Sequence, residues 1–230
     1  MLAGVLQSGD VHAEGDALPA LMPKLSAWSA RLESMLARAM FTISGHTEEL
    51  DGDGHASDRK EGVFRVDARG PRAHVKVVRY TEDGEDKTAE ARERVQDGEK
   101  KRDKKPKDPD EELHMPFLAT ELPKYSFHIG ETDPQVPTRV RVYFAAKHPA
   151  KNLGNGSAWV DMQTGDVLTM GVSPSKTSMF VDSIDVTIEF GETTPMGKGM
   201  SRVRFEARGG FLFFRKHVRG LAMFSNYDVK

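Results

Sequence analysis

Apolar residues in the first part of the chain recur at helical spacing. Leu21, Leu25, Trp28, Leu32, Met35 and Ala39 follow one another at steps of four and three, and Met22 and Leu36 widen the stripe. This pattern predicts one amphipathic helix over residues 18–40, with Pro19 and Pro23 in its first turn and Lys24, Arg31, Glu33 and Arg38 off the apolar face. The preceding residues 1–17 contain Gly4, Gly9 and Gly15 and no period that buries a face, so they read as a flexible leader. After Met40 the period falls to two. Phe41 and Ile43 alternate with polar residues up to Asp51-Gly52-Asp53-Gly54, a hairpin signal. Further strands are predicted over 63–68, 73–80, 125–129, 139–144, 157–162 and 166–172, the last two flanking the turn Thr164-Gly165. Ile184, Val186, Ile188 and Phe190 alternate with Asp185, Thr187 and Glu189, and Val203, Phe205 and Ala207 repeat the pattern among arginines. Residues 211–217 and 218–227 complete the series as two more strands.

About ten strands with short turns, and no helical crossover among the last seven, imply an antiparallel meander. The single amphipathic helix must lay its apolar stripe on something, and the inner side of the meander is the partner on offer. The expected fold class is therefore α+β and mainly antiparallel: an unclosed barrel wrapped around the N-terminal helix, formed by one domain over residues 18–230.

One segment departs from this pattern. Residues 82–112 carry 13 acidic against 9 basic side chains and almost no apolar ones, which reads as a charged insertion, either a solvated helix or disordered chain. Pro106 and Pro109 end any helix there. Docking of a partner is the other use for such a segment. Directly after it, Met115, Phe117 and Leu118 form an apolar cluster that is either a lid over an opening or a plug in the core.

Composition removes several classes of function. The chain has 230 residues and no cysteine, so disulfides, thiolate metal sites and thiol nucleophiles are excluded. Its 33 basic against 35 acidic residues argue against a nucleic-acid partner. No apolar run approaches the roughly 20 residues of a membrane helix. The first residues carry no cationic leader of the signal-peptide type, which points to a cytoplasmic protein or to a mature chain whose signal has been trimmed. The eight histidines form no zinc pattern. Asp51, Asp53 and His55 begin like a calcium loop, but Ala56 and Gly62 stand where such a loop needs Gly and Glu, so a hairpin tip is expected and no metal or cofactor. No Gly-x-Ser-x-Gly elbow or phosphate-binding glycine loop is present, and an enzyme is not expected.

Two physical features remain. Phe211, Leu212, Phe213 and Phe214 are consecutive, although a strand buries only alternate residues on one face, and they adjoin Arg215 and Lys216. Residues 198–220 hold seven basic side chains against Glu206 alone, so Phe211, Phe213, Phe214, Arg215 and Lys216 form a candidate contact for an anionic membrane or a partner. A core strand with a solvated basic back is the competing reading. The inner-face residues Val142, Phe144, Trp159, Ile184, Val186, Ile188, Phe190 and Phe205, with Trp28 and Met35 opposite, are candidates to line a hydrophobic cavity, or else to be plain core.

The order of elements resembles the LolA/LolB superfamily of lipoprotein carriers and the related outer-membrane lipoprotein-sorting proteins. Gly156-Ser157-Ala158-Trp159-Val160-Asp161-Met162-Gln163-Thr164-Gly165 is similar to that family's strand-and-turn motif, and Met223-Phe224-Ser225-Asn226-Tyr227-Asp228 is similar to its closing strand. The resemblance implies an unclosed antiparallel barrel and a non-catalytic monomer in the periplasm or at the outer membrane. Its hydrophobic cavity would take a lipid acyl chain or a lipoprotein. The charged insertion lies where the family's lid helices are expected. An envelope scaffold or sensor of the same fold without lipid cargo is the alternative.

Overall fold

A computed structural model describes residues 14–230, apart from Gly52, Pro71, residues 105–113, Ser178, Leu212 and Phe213; the side chains of residues 14–16, Asp103, Phe211, Phe214 and Arg215 also lie outside the description. The elements are α1 (Glu14–Leu36), β1 (Ala39–Leu50), β2 (Ala56–Asp67), β3 (His74–Glu82), the two-residue β4 (Glu85–Asp86), α2 (Thr88–Asp103), then β5 (Tyr125–Thr132), β6 (Arg139–Ala146), β7 (Gly154–Asp161), β8 (Val167–Pro174), β9 (Val181–Thr194), β10 (Gly197–Phe211) and β11 (Phe214–Val229). The strands make one sheet in the order β4-β3-β2-β1-β11-β10-β9-β8-β7-β6-β5, and every pair is antiparallel. Because β4 and β5 occupy opposite edges, the sheet is unclosed, as expected.

Register puts one apolar face along almost the whole sheet. Val142 pairs with Ala158, Ala158 with Met170, Met170 with Ile188, Ile188 with Val203 and Val203 with Ala222; two positions along, Phe224 pairs with Ile43, Ile43 with Phe64 and Phe64 with Val77. Helix α1 lies on this face, packed mainly over β5 to β9 and reaching β10, where Arg31 and Met35 approach Gly197 and Gly199. Leu21, Leu25, Trp28, Leu32 and Met35 are buried as the stripe predicts, and the Trp28 ring stands edge-on to Phe190 at 5.0 Å between centroids. The β7–β8 turn clamps the helix from outside. Gly165 adopts φ +76° and a Cβ there would meet the Lys24 backbone, while Lys24 Nζ donates to the carbonyls of Met162 and Gln163 and Arg31 pairs with Asp166 at 2.7 Å.

Several boundaries differ from the sequence reading; β2, for one, begins at Ala56 rather than at residue 63. The helix includes residues 14–17, so Pro19 and Pro23 lie inside it, where each removes one hydrogen bond to the residue four back. It also ends at Leu36, earlier than residue 40, because Ala39 and Met40 pair with Val229 and Asp67 as the start of β1; Ala39 keeps the helical spacing but is buried in a strand. Finally, residues 214–229 are one continuous strand rather than the end of one and the whole of another.

Much of the charged insertion is ordered as α2, and its charge is used on the sheet edge. Since β4 pairs only with Thr81 and Glu82, most of β3 has an unpaired outer edge. Val75 N–H donates to Glu99 Oε1 at 2.9 Å, Tyr80 N–H donates to Thr88 Oγ1 at 2.9 Å, Arg92 donates to Val77 O at 3.1 Å and Arg102 donates to Ala73 O at 2.7 Å. Ala91 and Val77 are buried at the seam. The helix thus satisfies with side chains what a further strand would satisfy with backbone, and it shields an edge open to aggregation.

Candidate functional site

The inner face is filled unevenly. Under the middle of α1 it is closed, whereas beside the C-terminal end of the helix a cavity of about 430 Å³ remains, within the usual range of small-molecule sites. Its walls come from Leu32 and Leu36 of α1, Met115 and Pro116 ahead of β5, Phe144 of β6, Leu153 before β7, Met170, Val172 and Pro174 of β8, and Ile184, Val186 and Ile188 of β9. Polar groups are few. Glu33 and His114 stand partly exposed at the rim, 3.5 Å apart, and Tyr125 closes one wall with its hydroxyl accepting from Gly154 N–H at 3.3 Å. Burial pushes the Tyr125 phenol above its ordinary pKa, so it remains neutral.

Of the residues expected to line a cavity, Phe144, Ile184, Val186 and Ile188 do so. Trp28 and Met35 of α1, with Val142 and Phe190 of the inner face, are sealed in the core between helix and sheet. Phe205, one strand further on, lies outside the cavity, its ring over Gly220. Trp159 is a correction. It faces the other side of the sheet, where the Arg141 guanidinium lies 5.3 Å from its ring, because Ala158 and Val160 take the two inward positions around it.

The apolar cluster after the insertion divides. Met115 lines the cavity, but Phe117 is completely buried against Phe127 and Phe144 and is a plug of the core; Leu118 is half-buried and does not reach the cavity. Sequence reasoning passed over Val172, Leu153 and Pro174. Val172 was accessible through the period-two run of β8, which sets it beside Val186 as it sets Met170 beside Ile188. Leu153 and Pro174 carry no periodic signal.

The contact proposed at Phe211, Phe213, Phe214 and Arg215 falls on side chains outside the description. Lys216 is exposed and pairs with Glu49 at 2.9 Å. Asp51, Asp53 and His55 form the tip of the β1–β2 hairpin, where Asp51 Oδ1 accepts from the N–H groups of Asp53 and His55; all three are exposed, with ligand atoms within 4.8 Å of one another. Among the described residues, no helix is long and apolar enough to cross a membrane.

The chain is similar to a LolA superfamily protein. That crystal structure, from Nitrosomonas europaea, gives a TM-score of 0.40 and 7% identity over 88% of this chain and 93% of the other. The MucA/MucB complex of Pseudomonas aeruginosa gives 0.24 and 10%, over 87% and 94%, and MucB in complex with MucA(peri) gives 0.21 and 10%, over 87% and 93%. At such identities the likeness is one of fold alone. No family model matches the chain, and no curated protein matches it in sequence.

Proposed function

We propose that the chain is a non-catalytic carrier that takes an acyl chain, of a lipid or of a lipoprotein, into the cavity beside the C-terminal end of α1, and that it works in the periplasm or at the outer membrane. The observation that carries this reading is the cavity itself: about 430 Å³ of nearly all-apolar space on a face that is tightly filled a few residues away. Leaving such a space open forgoes packing worth on the order of several kcal/mol, a cost a purely structural core has no reason to bear. A linear chain suits it. Each buried methylene contributes about 0.8 kcal/mol, so roughly ten of them supply about 8 kcal/mol, the scale of micromolar binding before ordering costs are subtracted. The rim pair Glu33 and His114 offers a polar end for a head group, while the walls recognise only shape and apolarity.

Titration of the delipidated protein with a fluorescent long-chain fatty acid tests the reading. Saturable binding at one site is expected, with loss of binding in Val186→Glu while the circular dichroism spectrum and cooperative melting persist. Absence of saturable binding in the wild-type protein, or full binding by folded Val186→Glu, would overturn the proposal and favour the envelope scaffold.

A further inference from the structure

We propose that the free edge of β5 pairs antiparallel with β5 of a second copy, so that two chains share one continuous sheet. This departs from the monomer that the family resemblance implies. The hydrogen-bond phase of the β5–β6 ladder opens the edge. Lys147 N–H donates to Lys124 O at 2.9 Å, whereas Ala146 N–H turns away to Asn155 Oδ1 of β7 at 2.8 Å. In the register that pairs Tyr125 with Ala146 and Phe127 with Phe144, Ser126 and His128 therefore bond β6, and Tyr125, Phe127 and Ile129 direct their backbone groups outward. Tyr125 N–H donates to Leu122 O. The backbone N–H and C=O groups of Phe127 and Ile129 have no partner among the described residues.

The two edges of the sheet differ in this respect. Side chains of α2 bond the outward backbone of β3, and among the described residues nothing comparable lies along β5. An open edge is a template for another strand. With the β3 edge closed, pairing through β5 stops at two molecules, whereas two free edges would let it run on into a fibre.

The edge is also complementary to itself. A two-fold axis at His128 sets Phe127 opposite Ile129 of the second copy, and every outward N–H and C=O of those two residues then finds a partner; an axis at Phe127 leaves the Ile129 carbonyl unpaired. Both side chains lie on the inner face and are half-buried, so pairing them covers apolar surface that a single chain leaves wet. On the outer face the His128 ring is stacked on Tyr143, with centroids 4.8 Å apart, and the axis continues this stack into the same stack of the second copy. Charge reverses along the edge. Exposed Lys147 stands beside the start of β5 and exposed Glu131 near its end, so antiparallel pairing brings the basic end of each copy to the acidic end of the other.

His128, Phe127 and Ile129 do not line the cavity, so the pairing is independent of any cargo. Sedimentation velocity over a micromolar-to-millimolar concentration series, with hydrogen–deuterium exchange at its two ends, provides the test. A dimer is expected to form as concentration rises, with slower exchange of the Phe127 and Ile129 amides. His128→Lys opposes two ammonium groups across the axis and should raise the dimer dissociation constant about threefold to tenfold with an unchanged circular dichroism spectrum, while His128→Gln, which adds no charge, should dimerise close to the wild type. A wild-type protein that stays monomeric throughout the series would overturn the proposal and leave the edge to an extended segment of another protein. A dimer whose Phe127 and Ile129 amides exchange as fast as in the monomer, or one that His128→Lys leaves intact, would overturn it equally by placing the contact elsewhere.

Discussion

Two stretches of the same inner face, a few residues apart on the same strands, have opposite fates. At Phe190 the face meets Trp28, and Leu25, Met35, Val142, Val160 and Val167 close around it with almost no exposure. Along β9, Ile184, Val186 and Ile188 continue the alternation with equally apolar side chains, yet they border open space. The residues on the sheet do not cause the difference. The helix does: its apolar stripe supplies filling side chains only as far as Leu36, and the chain then leaves to begin β1. A cavity in this fold is thus a property of where the covering element stops, and mutation of the cover and of the floor should have different consequences.

The sharpest way to break the comparison is at the closed stretch. Trp28→Ala is expected to cost about 3–5 kcal/mol, read as a fall in the denaturant midpoint, because the lost ring leaves a void that the clamped helix cannot collapse into. A cost below 1 kcal/mol would show that the closed stretch is not the packed core. Next comes the open stretch. Val172→Phe, which overpacks an ordinary core at about 1–3 kcal/mol, should here be neutral or stabilising by up to about 1 kcal/mol while removing fatty-acid binding. A large destabilisation would place Val172 in filled space. Smaller still is the edge: Glu99→Ala strands the Val75 N–H and should cost about 1 kcal/mol while increasing self-association, measured by light scattering, as the β3 edge opens.

Acid should loosen the side of the sheet remote from the cavity. A hydrogen bond from Arg219 and the nearby charge of Arg59 hold the Glu48 carboxyl below its ordinary pKa, and Arg69 does the same for Asp67. A depressed carboxylate stabilises the fold fully above its unfolded value, about 4, and that contribution is lost as the pH falls through the lower folded value. Thermal stability should therefore decline below about pH 4, and the decline should be reduced in Glu48→Gln. An identical acid profile in that variant would remove Glu48 from the account.

The meander, its open edges and the buried stripe of α1 were legible because each is a local period: two along the strands, 3.6 along the helix. What stayed hidden depends on contacts distant in sequence. Trp159 reads as core by its apolar bulk, and its outward position follows from the small Ala158 beside it and the Arg141 across from it. The insertion reads as solvated because it has no apolar face; its helix is held instead by side-chain hydrogen bonds to a strand edge, which leave no hydrophobic pattern. Met115 and Phe117 stand two residues apart with similar apolarity, and only the third dimension makes one a wall and the other a plug. The extent of the cavity was equally unreadable, since it is set by the end of α1, and no glycine or proline marks that end.

Crystallising the delipidated protein with a brominated long-chain fatty acid, and locating the bromines by anomalous scattering, tests the central claim most directly. The account predicts bromine peaks between Leu36 and strands β8 and β9, in contact with Val172, Val186 and Ile188. Peaks confined to other surfaces, or a cavity still empty at saturating ligand, would contradict it.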